Sequence, residues 1–293
     1  MDMNGKTTSQ IRRITWIGLL VNLLLSLLKF TVGLLGSSQA VVADAVHSLS
    51  DLGTDLAVLL GVKFWSAPPD ESHPYGHGRI ETLLTAAIGT VLAVVAFGIG
   101  YKALVTMQEM HLKQPSAIAI VGSIVSVVLK EALYRWTVRV GKQTKSSAVI
   151  ANAWHHRSDA FSSVPALAAV SLAVVSPRLA FIDHVGALAV SIIILKVSWS
   201  IMSPSLSQLA DRATSRADRE TIRRIALGIE GVQAVHAIRT RNLGSGLYVD
   251  LHVLVDGDMT VRKGHEISSA VRSALEAGGP DVLDVVVHLE PHD

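Results

Sequence analysis

The amino-acid sequence predicts an all-α membrane protein of six transmembrane helices, followed by a small α+β domain of the ferredoxin-like type. Hydrophobic residues make up 49% of the 293 residues and charged residues only 17%, whereas about 25% charged is usual in soluble domains. Six apolar stretches each approach or exceed the length of about 20 residues that a helix needs to cross a bilayer. After Ala210 the chain becomes much more charged, which predicts a soluble domain there.

The charge distribution locates the boundary between the two parts. Residues 1–210 hold 16 Lys and Arg against 11 Asp and Glu, and residues 211–293 hold 10 against 13. The net charge therefore changes from +5 (16 − 11) to −3 (10 − 13). We place the boundary near Ser203–Asp211, which predicts a membrane domain over residues 1–207 and a soluble domain over residues 208–293.

The six apolar stretches are separated by segments rich in Gly, Ser and Pro, which favour turns. The first stretch follows Lys6, Arg12 and Arg13 but has no small-residue cleavage site after it. It is therefore predicted to stay as a helix rather than to be removed as a signal peptide. The predicted spans are Ile14–Leu35, Ala40–Trp65, Ile80–Met107, Pro115–Val140, Val149–Val175 and Asp183–Met202.

The orientation follows from the Lys and Arg content of the connections, because these residues are enriched on the cytoplasmic side. The N-terminus, the second–third connection and the fourth–fifth connection hold three, two and four of them. The opposite connections hold only Lys113 and Arg178. Both termini are therefore predicted to be cytoplasmic, and so is the C-terminal domain.

The C-terminal domain shows an α-β-β-α-β order of hydrophobic patterns. Two stretches have helical periodicity and three are rich in β-branched residues, with a Gly-Ser-Gly turn between the first two strands. This order fits a small sheet with helices on one face. The predicted elements are Arg216–Ile229, Val232–Arg241, Leu247–Val255, Val261–Ala277 and Val282–Leu289, with the turn at Gly244-Ser245-Gly246.

Composition also narrows the chemistry. The net charge of +2 is too small to predict a nucleic acid partner, and the absence of Cys excludes disulfides, thiolate metal sites and cysteine nucleophiles. Any transition metal must therefore be held by His and carboxylate side chains, and the chain has 12 His.

The second and fifth predicted spans contain ionisable residues, which are costly inside a membrane and are candidates for function. Each span presents one His-x-x-x-Asp pair, which places both side chains on one helix face. Two imidazoles and two carboxylates would form a tetrahedral site suited to Zn²⁺ or a similar divalent cation. The four residues are His47, Asp51, His155 and Asp159.

Other polar residues of these spans have weaker claims. Asp44 and Asp55 share the face of His47 and could line an aqueous cavity, and Asn22 and Asn152 are further candidates for the ion pathway. His156 points about 100° away from His155 on a helix and is predicted to be structural. The alternative for the whole group is a buried hydrogen-bond network without metal.

A second cluster lies in the connection between the second and third spans. Asp70, His73 and His77 fall within eight residues, and the intervening Pro74 and Gly76 allow a tight loop around one cation. Glu71 could replace Asp70 as the acidic ligand. The alternative is an ordinary polar loop.

A third cluster is spread through the C-terminal domain. Four imidazoles and one carboxylate fall mostly at predicted strand positions, which suggests a metal site, although single surface His residues are common. These residues are His236, His252, His265, His288 and Glu290.

The chain resembles the cation diffusion facilitator family from its first helix to Glu290. The resemblance is carried by three segments in order, VVADAVHSLSDLGTD, HPYGHGRIE and ANAWHHRSDAFSS, followed by a His-bearing α+β domain. It implies a homodimer in the lipid bilayer that exports a cytoplasmic divalent cation in exchange for external protons, and not an enzyme. We expect an integral protein of the cytoplasmic (inner) membrane of a prokaryote.

The resemblance also implies roles for the clustered residues. His47, Asp51, His155 and Asp159 match the transport site, and the loop and C-terminal clusters match accessory metal sites with structural or regulatory ions. Arg79 and Asp211 match a charged pair that links the membrane and cytoplasmic domains. The chain departs from some members at two positions, where His47 and Glu290 stand in place of Asp.

The ligand set favours Zn²⁺ as the cargo, because imidazole suits Zn, Co, Ni and Fe whereas oxygen-only sites suit Mn and Mg. Cd²⁺ and Fe²⁺ are not separated from Zn²⁺ by this argument. The alternatives are an Fe²⁺- or Mn²⁺-preferring member of the family, or a membrane-bound metal sensor or scaffold without flux. A metalloenzyme is disfavoured because the sequence lacks HExxH and a serine-nucleophile elbow, and because four ligands would saturate zinc.

Overall fold

The computed structural model describes residues 3–108, 113–143, 147–243 and 246–292. The chain forms two compact units. One consists of Met1–Leu59 and Ile88–Ser200, and the other of Leu60–Ala87 and Ile201–Asp293.

The N-terminal two thirds of the described chain is helical, and the predicted fold class is confirmed. A single turn of 3₁₀ helix at Pro177–Leu179 precedes the last long helix. The helices are α1 (Met3–Leu35), α2 (Gln39–Trp65), α3 (Gly78–Thr106), α4 (Ala117–Gln143), α5 (Ser147–Ser162), α6 (Val164–Val175) and α7 (Phe181–Leu209).

Five helical segments of the described chain are long and apolar enough to cross a membrane: α1, α3, α4, α5 with α6, and α7. With 27 residues, α2 is also long enough, but it carries Asp44, Asp51 and Asp55 along its first two thirds. The polar side chains that make α2 a candidate for function are therefore the ones that lower its hydropathy.

The fifth predicted span, Val149–Val175, is divided into α5 and α6 because of Pro165. Proline has no backbone N–H, so Pro165 cannot donate to the carbonyl of Phe161 as the helical ladder requires. The ladder continues on both sides, since the amide of Ser163 donates to Asp159 at 3.3 Å and that of Leu167 donates to Ser163 at 3.1 Å. The break places Ser163 beside the polar residues of α2.

Small residues form the interior of the helical unit. Ala40 and Ala43 of α2, Ala169 of α6 and Ala187 of α7 are all buried in one cluster. Close approach of helix backbones through small residues is a common way to associate helices in membranes, where lipid removes the hydrophobic driving force.

The second unit contains the predicted α-β-β-α-β order. Strands β1 and β2 pair antiparallel, β2 and β3 pair parallel, and the sheet order is β1-β2-β3. The two residues at the tip of the predicted Gly-Ser-Gly turn lie outside the described residues. The elements are α8 (Arg216–Leu227), β1 (Ala234–Leu243), β2 (Gly246–Asp256), α9 (Val261–Gly278) and β3 (Val282–His292).

Both helices of this domain are capped and cover one face of the sheet. Ser215 caps α8 by accepting from the amide of Asp218, and Thr260 caps α9 by accepting from Lys263. The odd-numbered residues of β2 are buried in the core under the helices, together with Ile222, Val271 and Leu275. Side chains alternate along a strand, so the even-numbered residues of β2, which include His252, point to the face that the helices leave open.

We expect the tight packing of α7 against its neighbours to be measurable by adding one methyl group. In Gly186→Ala the new Cβ would overlap the Cβ of Ala169 and lie 3.1 Å from that of Ala40, and neither neighbour can rotate away. Overpacking of this kind costs about 1–3 kcal/mol. Thermal unfolding of the purified protein in detergent should show a lower midpoint.

The matched control is Gly98→Ala on α3, because nothing lies within 4 Å of a Cβ at that position. It should leave the unfolding midpoint unchanged or raise it slightly. Equal midpoints for the two variants would contradict the packing described here.

Candidate metal sites

The membrane tetrad is divided between α2 and α5. His47 and Asp159 are buried, Asp51 is partly buried and His155 is half exposed. The carboxylate of Asp51 lies within electrostatic reach of His47, His155 and Asp159. Nδ1 of His155 lies 3.8 Å from Oδ1 of Asp159.

The ligand atoms of the tetrad are not gathered around one point. In the described part of the chain, groups of three ligand atoms within 4.8 Å of one another occur in the loop and C-terminal clusters and not among these four residues. One carboxylate of the tetrad is engaged elsewhere, because Nζ of Lys130 lies 3.3 Å from Oδ2 of Asp159. Lys130 belongs to α4 and is only 2% exposed.

A second buried lysine holds Asp44. Lys29 of α1 is 0% exposed, and its ammonium donates to Oδ2 of Asp44 at 3.0 Å and to Oγ of Ser48 at 2.6 Å. It also donates to Oγ of Ser163 at 3.3 Å, while that hydroxyl donates to Oδ1 of Asp44 at 2.9 Å. Buried charges need such partners, so the structure uses Asp44 to balance Lys29. The side chain of Asp55 lies outside the described residues.

Sequence analysis did not single out either lysine. Each is a lone cation inside an apolar stretch, and an intramembrane ionisable residue is a functional candidate by default. The signal was therefore present in the sequence, although the partners of the two ammonium groups depend on how the helices pack.

Both asparagines considered for the pathway contact His156. Nδ2 of Asn22 lies 3.4 Å from Nδ1 of His156, and Nδ2 of Asn152 lies 3.4 Å from its Nε2. His156 is buried, and its ring centroid lies 6.4 Å from that of His155. The contact with Asn22 joins α5 to α1, whereas the contact with Asn152 lies within α5.

The loop cluster brings its three predicted residues together. One ligand atom each from Asp70, His73 and His77 fits within 4.8 Å of the others. Oδ2 of Asp70 lies 3.4 Å from Nε2 of His77, Oδ1 lies 3.6 Å from Nδ1 of His73, and the two imidazole centroids are 4.3 Å apart. Gly76 has a φ of +81°, a conformation that favours glycine, and it allows the chain to turn back between the two imidazoles.

The acidic ligand of this loop is held as an anion. A hydrogen bond from the Ser72 hydroxyl, with further bonds from the amides of His73 and Ser72, lowers the pKa of the Asp70 carboxyl below its usual value. The loop also contacts the sheet of the same unit, since the rings of Tyr75 and Tyr248 are 5.8 Å apart. The site can therefore offer one carboxylate and two imidazoles on a loop that is fixed in place.

The C-terminal cluster is built across all three strands. His236, His252 and His288 are paired in register on β1, β2 and β3. Glu290, two residues further along β3, lies 2.7 Å from Nδ1 of His252, 3.1 Å from Nε2 of His236 and 3.6 Å from Nε2 of His288. The open face of the sheet thus gathers three imidazoles around one carboxylate, a ligand set that fits Zn²⁺.

His265 is separated from this group within a protomer. It is exposed on α9, where its ring lies 3.5 Å from the hydroxyl of Ser269. Since α9 covers the opposite face of the sheet, His265 does not meet Glu290. The spacing of the four His residues did not reveal this difference, because helix and strand place them on different faces.

The charged pair expected from sequence is formed. Nη2 of Arg79, at the start of α3, lies 2.6 Å from Oδ1 of Asp211. Asp211 follows the end of α7 with a φ of +50°, a left-handed conformation that Asp tolerates better than most residues. Both side chains are partly exposed, and an exposed ion pair adds little to the free energy of unfolding.

We expect a double-mutant cycle on Lys29 and Asp44 to show that they depend on each other. Lys29→Met leaves a buried carboxylate without its partner and should cost about 3–5 kcal/mol of stability. Adding Asp44→Leu removes that carboxylate, so the double variant should regain most of the loss. Thermal unfolding in detergent measures the stability lost in Lys29→Met and the stability regained in the double variant. A double variant no more stable than Lys29→Met alone would contradict the pairing.

Two family models together match almost the whole chain. The cation efflux transmembrane domain matches residues 15–210, and the cytoplasmic domain of cation efflux proteins matches residues 214–292. These ranges contain the tetrad, the loop cluster and the C-terminal cluster.

Relatives from three organisms align over most of this chain. Metal tolerance protein C1 of Arabidopsis thaliana is 34% identical over 94% of this chain, which spans 61% of that protein's length. The uncharacterized transporter MJ0449 of Methanocaldococcus jannaschii is 37% identical over 87% of this chain and 90% of its own. Manganese efflux system protein MneP of Bacillus subtilis is 31% identical over 96% of both.

These matches identify an integral membrane protein of a transporter family rather than an enzyme. They agree with the helical unit, with the three-stranded domain and with the clusters of His and carboxylate residues described above. The chain belongs to the cation diffusion facilitator family, whose members carry out efflux of divalent metal cations.

Proposed function

We propose that this chain exports Zn²⁺ from the cytoplasm in exchange for protons, through a transport site formed by His47, Asp51, His155 and Asp159. The observation that carries the proposal is that α2 and α5 each carry one His-x-x-x-Asp pair, and that Asp51 of the first pair lies within electrostatic reach of both members of the second. Ionisable groups in membrane spans are costly and are therefore candidates for function. Two imidazoles and two carboxylates can together supply the four ligands of a tetrahedral zinc site.

Proton exchange follows from the chemistry of these ligands. Imidazole binds metal only when neutral and carboxylate only when ionised, so metal binding releases protons. When the site opens to the outside, external protons compete with the metal and favour its release. When it opens to the cytoplasm, metal displaces the protons. Alternating access arises from rearrangement of the helices that carry the site.

Manganese is the second candidate cargo. MneP, a manganese efflux system protein by name, aligns over 96% of this chain. The ligand set argues for zinc, because two imidazoles make the site softer than the oxygen-only sites that suit Mn²⁺. Fe²⁺ and Cd²⁺ are compatible with the same ligands.

We assign transport to residues 1–207 and metal-dependent regulation and dimerisation to residues 208–293. The match to the cytoplasmic domain of cation efflux proteins supports a dimer, and the open face of the sheet carries the exposed apolar side chains Leu283 and Val286 beside its metal cluster. In this arrangement both termini face the cytoplasm, the protein lies in the inner membrane, and Arg79 with Asp211 links the two domains.

The accessory clusters are proposed to bind regulatory ions. Asp70, His73 and His77 form the loop site, and the four C-terminal residues around Glu290 form the second site. A cation favours whichever conformation holds its ligands together. Rising cytoplasmic metal would therefore bias the cytoplasmic domain towards its metal-bound arrangement.

Vesicle flux measurements test the transport site. The purified protein in sealed vesicles should carry Zn²⁺ to an enclosed fluorescent reporter, while a pH dye reports protons leaving the lumen. Asp159→Ala removes a charged ligand that the remaining side chains cannot replace, so both signals should fall to the background of empty vesicles. Competition with Mn²⁺ in the same assay ranks the two candidate cargoes.

The matched control is Asp258→Ala, which removes an exposed carboxylate from a turn of the C-terminal domain and should transport normally. Near-normal flux in folded Asp159→Ala would overturn the site. Zinc flux without proton movement would overturn the exchange, and a folded wild-type protein without flux would favour a sensor or scaffold.

The C-terminal site should regulate transport rather than carry the cargo. His252→Ala combined with His288→Ala removes two of the three imidazoles around Glu290. We expect a transport rate that responds less steeply to metal on the cytoplasmic side, with basal flux retained. A double variant that is folded and dimeric yet as inactive as Asp159→Ala would place this domain in the transport path.

A further inference from the structure

Among the residues that the structure describes, two basic side chains lie within 4.0 Å of the Asp159 carboxylate. One is His155, on the preceding turn of α5, and the other is the ammonium of Lys130. Nζ of Lys130 lies 3.3 Å from Oδ2 of Asp159, and the lysine is 2% exposed. Its charge also acts on Asp51. A buried lysine therefore contacts one carboxylate of the proposed transport site and lies within electrostatic reach of the other.

The two buried lysines of the bundle differ in what balances them. Lys29 has Asp44 and two hydroxyls around its ammonium, and Asp44 is no part of the tetrad. Lys130 instead takes its balancing charge from a metal ligand. Metal and Lys130 therefore compete for Asp159, whereas the carboxylate that pairs with Lys29 is not one of the proposed ligands.

The charge count shows what this competition does. Once the protons that metal displaces have left, so that the imidazoles are neutral and the carboxylates ionised, Asp51, Asp159 and Lys130 together carry −1, whereas the two carboxylates alone would carry −2. A divalent cation changes these totals to +1 and 0 respectively. Interactions between charges are strong where water is scarce. The lysine therefore stabilises the negatively charged site when metal is absent and lowers its affinity for a divalent cation.

We propose that Lys130 is a tethered counter-cation of the transport site, which holds Asp159 when no metal is bound and must be displaced from that carboxylate when a divalent cation enters. This inference rests on the proposed function. It makes Lys130 a positioning residue that limits metal affinity, so that the cation is released at the far side instead of being trapped. Uniformly tight binding of cargo would slow turnover.

Three substitutions separate charge from hydrogen bonding. Lys130→Met keeps the length of the side chain but removes charge and donors. Lys130→Gln keeps a donor for Asp159 without the charge. Lys130→Arg keeps the charge. If charge is what matters, Met and Gln should behave alike and Arg should resemble the wild type.

Metal affinity is measured without transport, from the rise in unfolding temperature of the full chain with Zn²⁺ concentration. The background carries His77→Ala and Glu290→Ala, so that the accessory sites do not contribute. We expect Lys130→Met and Lys130→Gln to bind Zn²⁺ roughly tenfold more tightly, within the range of coupling between neighbouring charges. Adding Asp159→Ala should abolish the gain.

Flux kinetics supply the second readout. In vesicles, Lys130→Met and Lys130→Gln should lower KM and kcat together, whereas Lys130→Arg should keep both near their wild-type values. A residue that merely stabilised the fold would lower the amount of active protein without changing KM.

The possible failures are distinguishable. In one outcome, Asp159→Ala abolishes zinc binding in the protein that keeps Lys130, while Lys130→Met and Lys130→Gln leave affinity and KM unchanged. That outcome overturns the proposed role of Lys130 as a counter-cation and leaves the transport site standing. If Asp159→Ala leaves zinc binding unaltered, the site itself is wrong and the inference falls with it. A KM effect that is present in Lys130→Met and absent in Lys130→Gln would assign the effect to the hydrogen bond donated to Asp159 and overturn the role of charge.

Discussion

The structure depends on one constraint: charged side chains inside a membrane-spanning bundle must be balanced where water is absent. Lys29 meets Asp44 at 3.0 Å and Lys130 meets Asp159 at 3.3 Å. The hydroxyl of Ser163, at the break between α5 and α6, bonds to both members of the first pair. The placement of the tetrad follows, since α1, α2 and α5 are tied together by the same contacts that balance their charges.

The membrane site and the C-terminal cluster solve different problems with similar ligands. On the sheet, strand register alone places His236, His252 and His288 side by side, with Glu290 within 2.7–3.6 Å of all three. That cluster is preorganised and open to solvent, as suits a site that responds to metal concentration. In the bundle the ligands are divided between two helices, and one of them is held by a lysine, as suits a site that must open and close on its cargo.

Sequence patterns were sufficient for the fold class, because periodicity and charge density report burial directly. The elements of the C-terminal domain were predicted to within a few residues, and the two His-x-x-x-Asp pairs follow from helical spacing alone. Packing decided the rest. The break at Pro165, the capture of Asp44 by Lys29, the pairing of Asp159 with Lys130 and the position of His265 on the opposite face of the sheet all depend on which elements meet, and single-sequence periodicity does not specify that.

The most direct test of the account is the coordination shell of one bound zinc ion, measured by X-ray absorption on the full chain with Asp70→Ala and Glu290→Ala disabling the accessory sites. We predict two imidazole nitrogens and two carboxylate oxygens at about 2.0–2.2 Å, with one imidazole lost in His47→Ala and one in His155→Ala. A shell of water oxygens, or one that neither substitution changes, would contradict it.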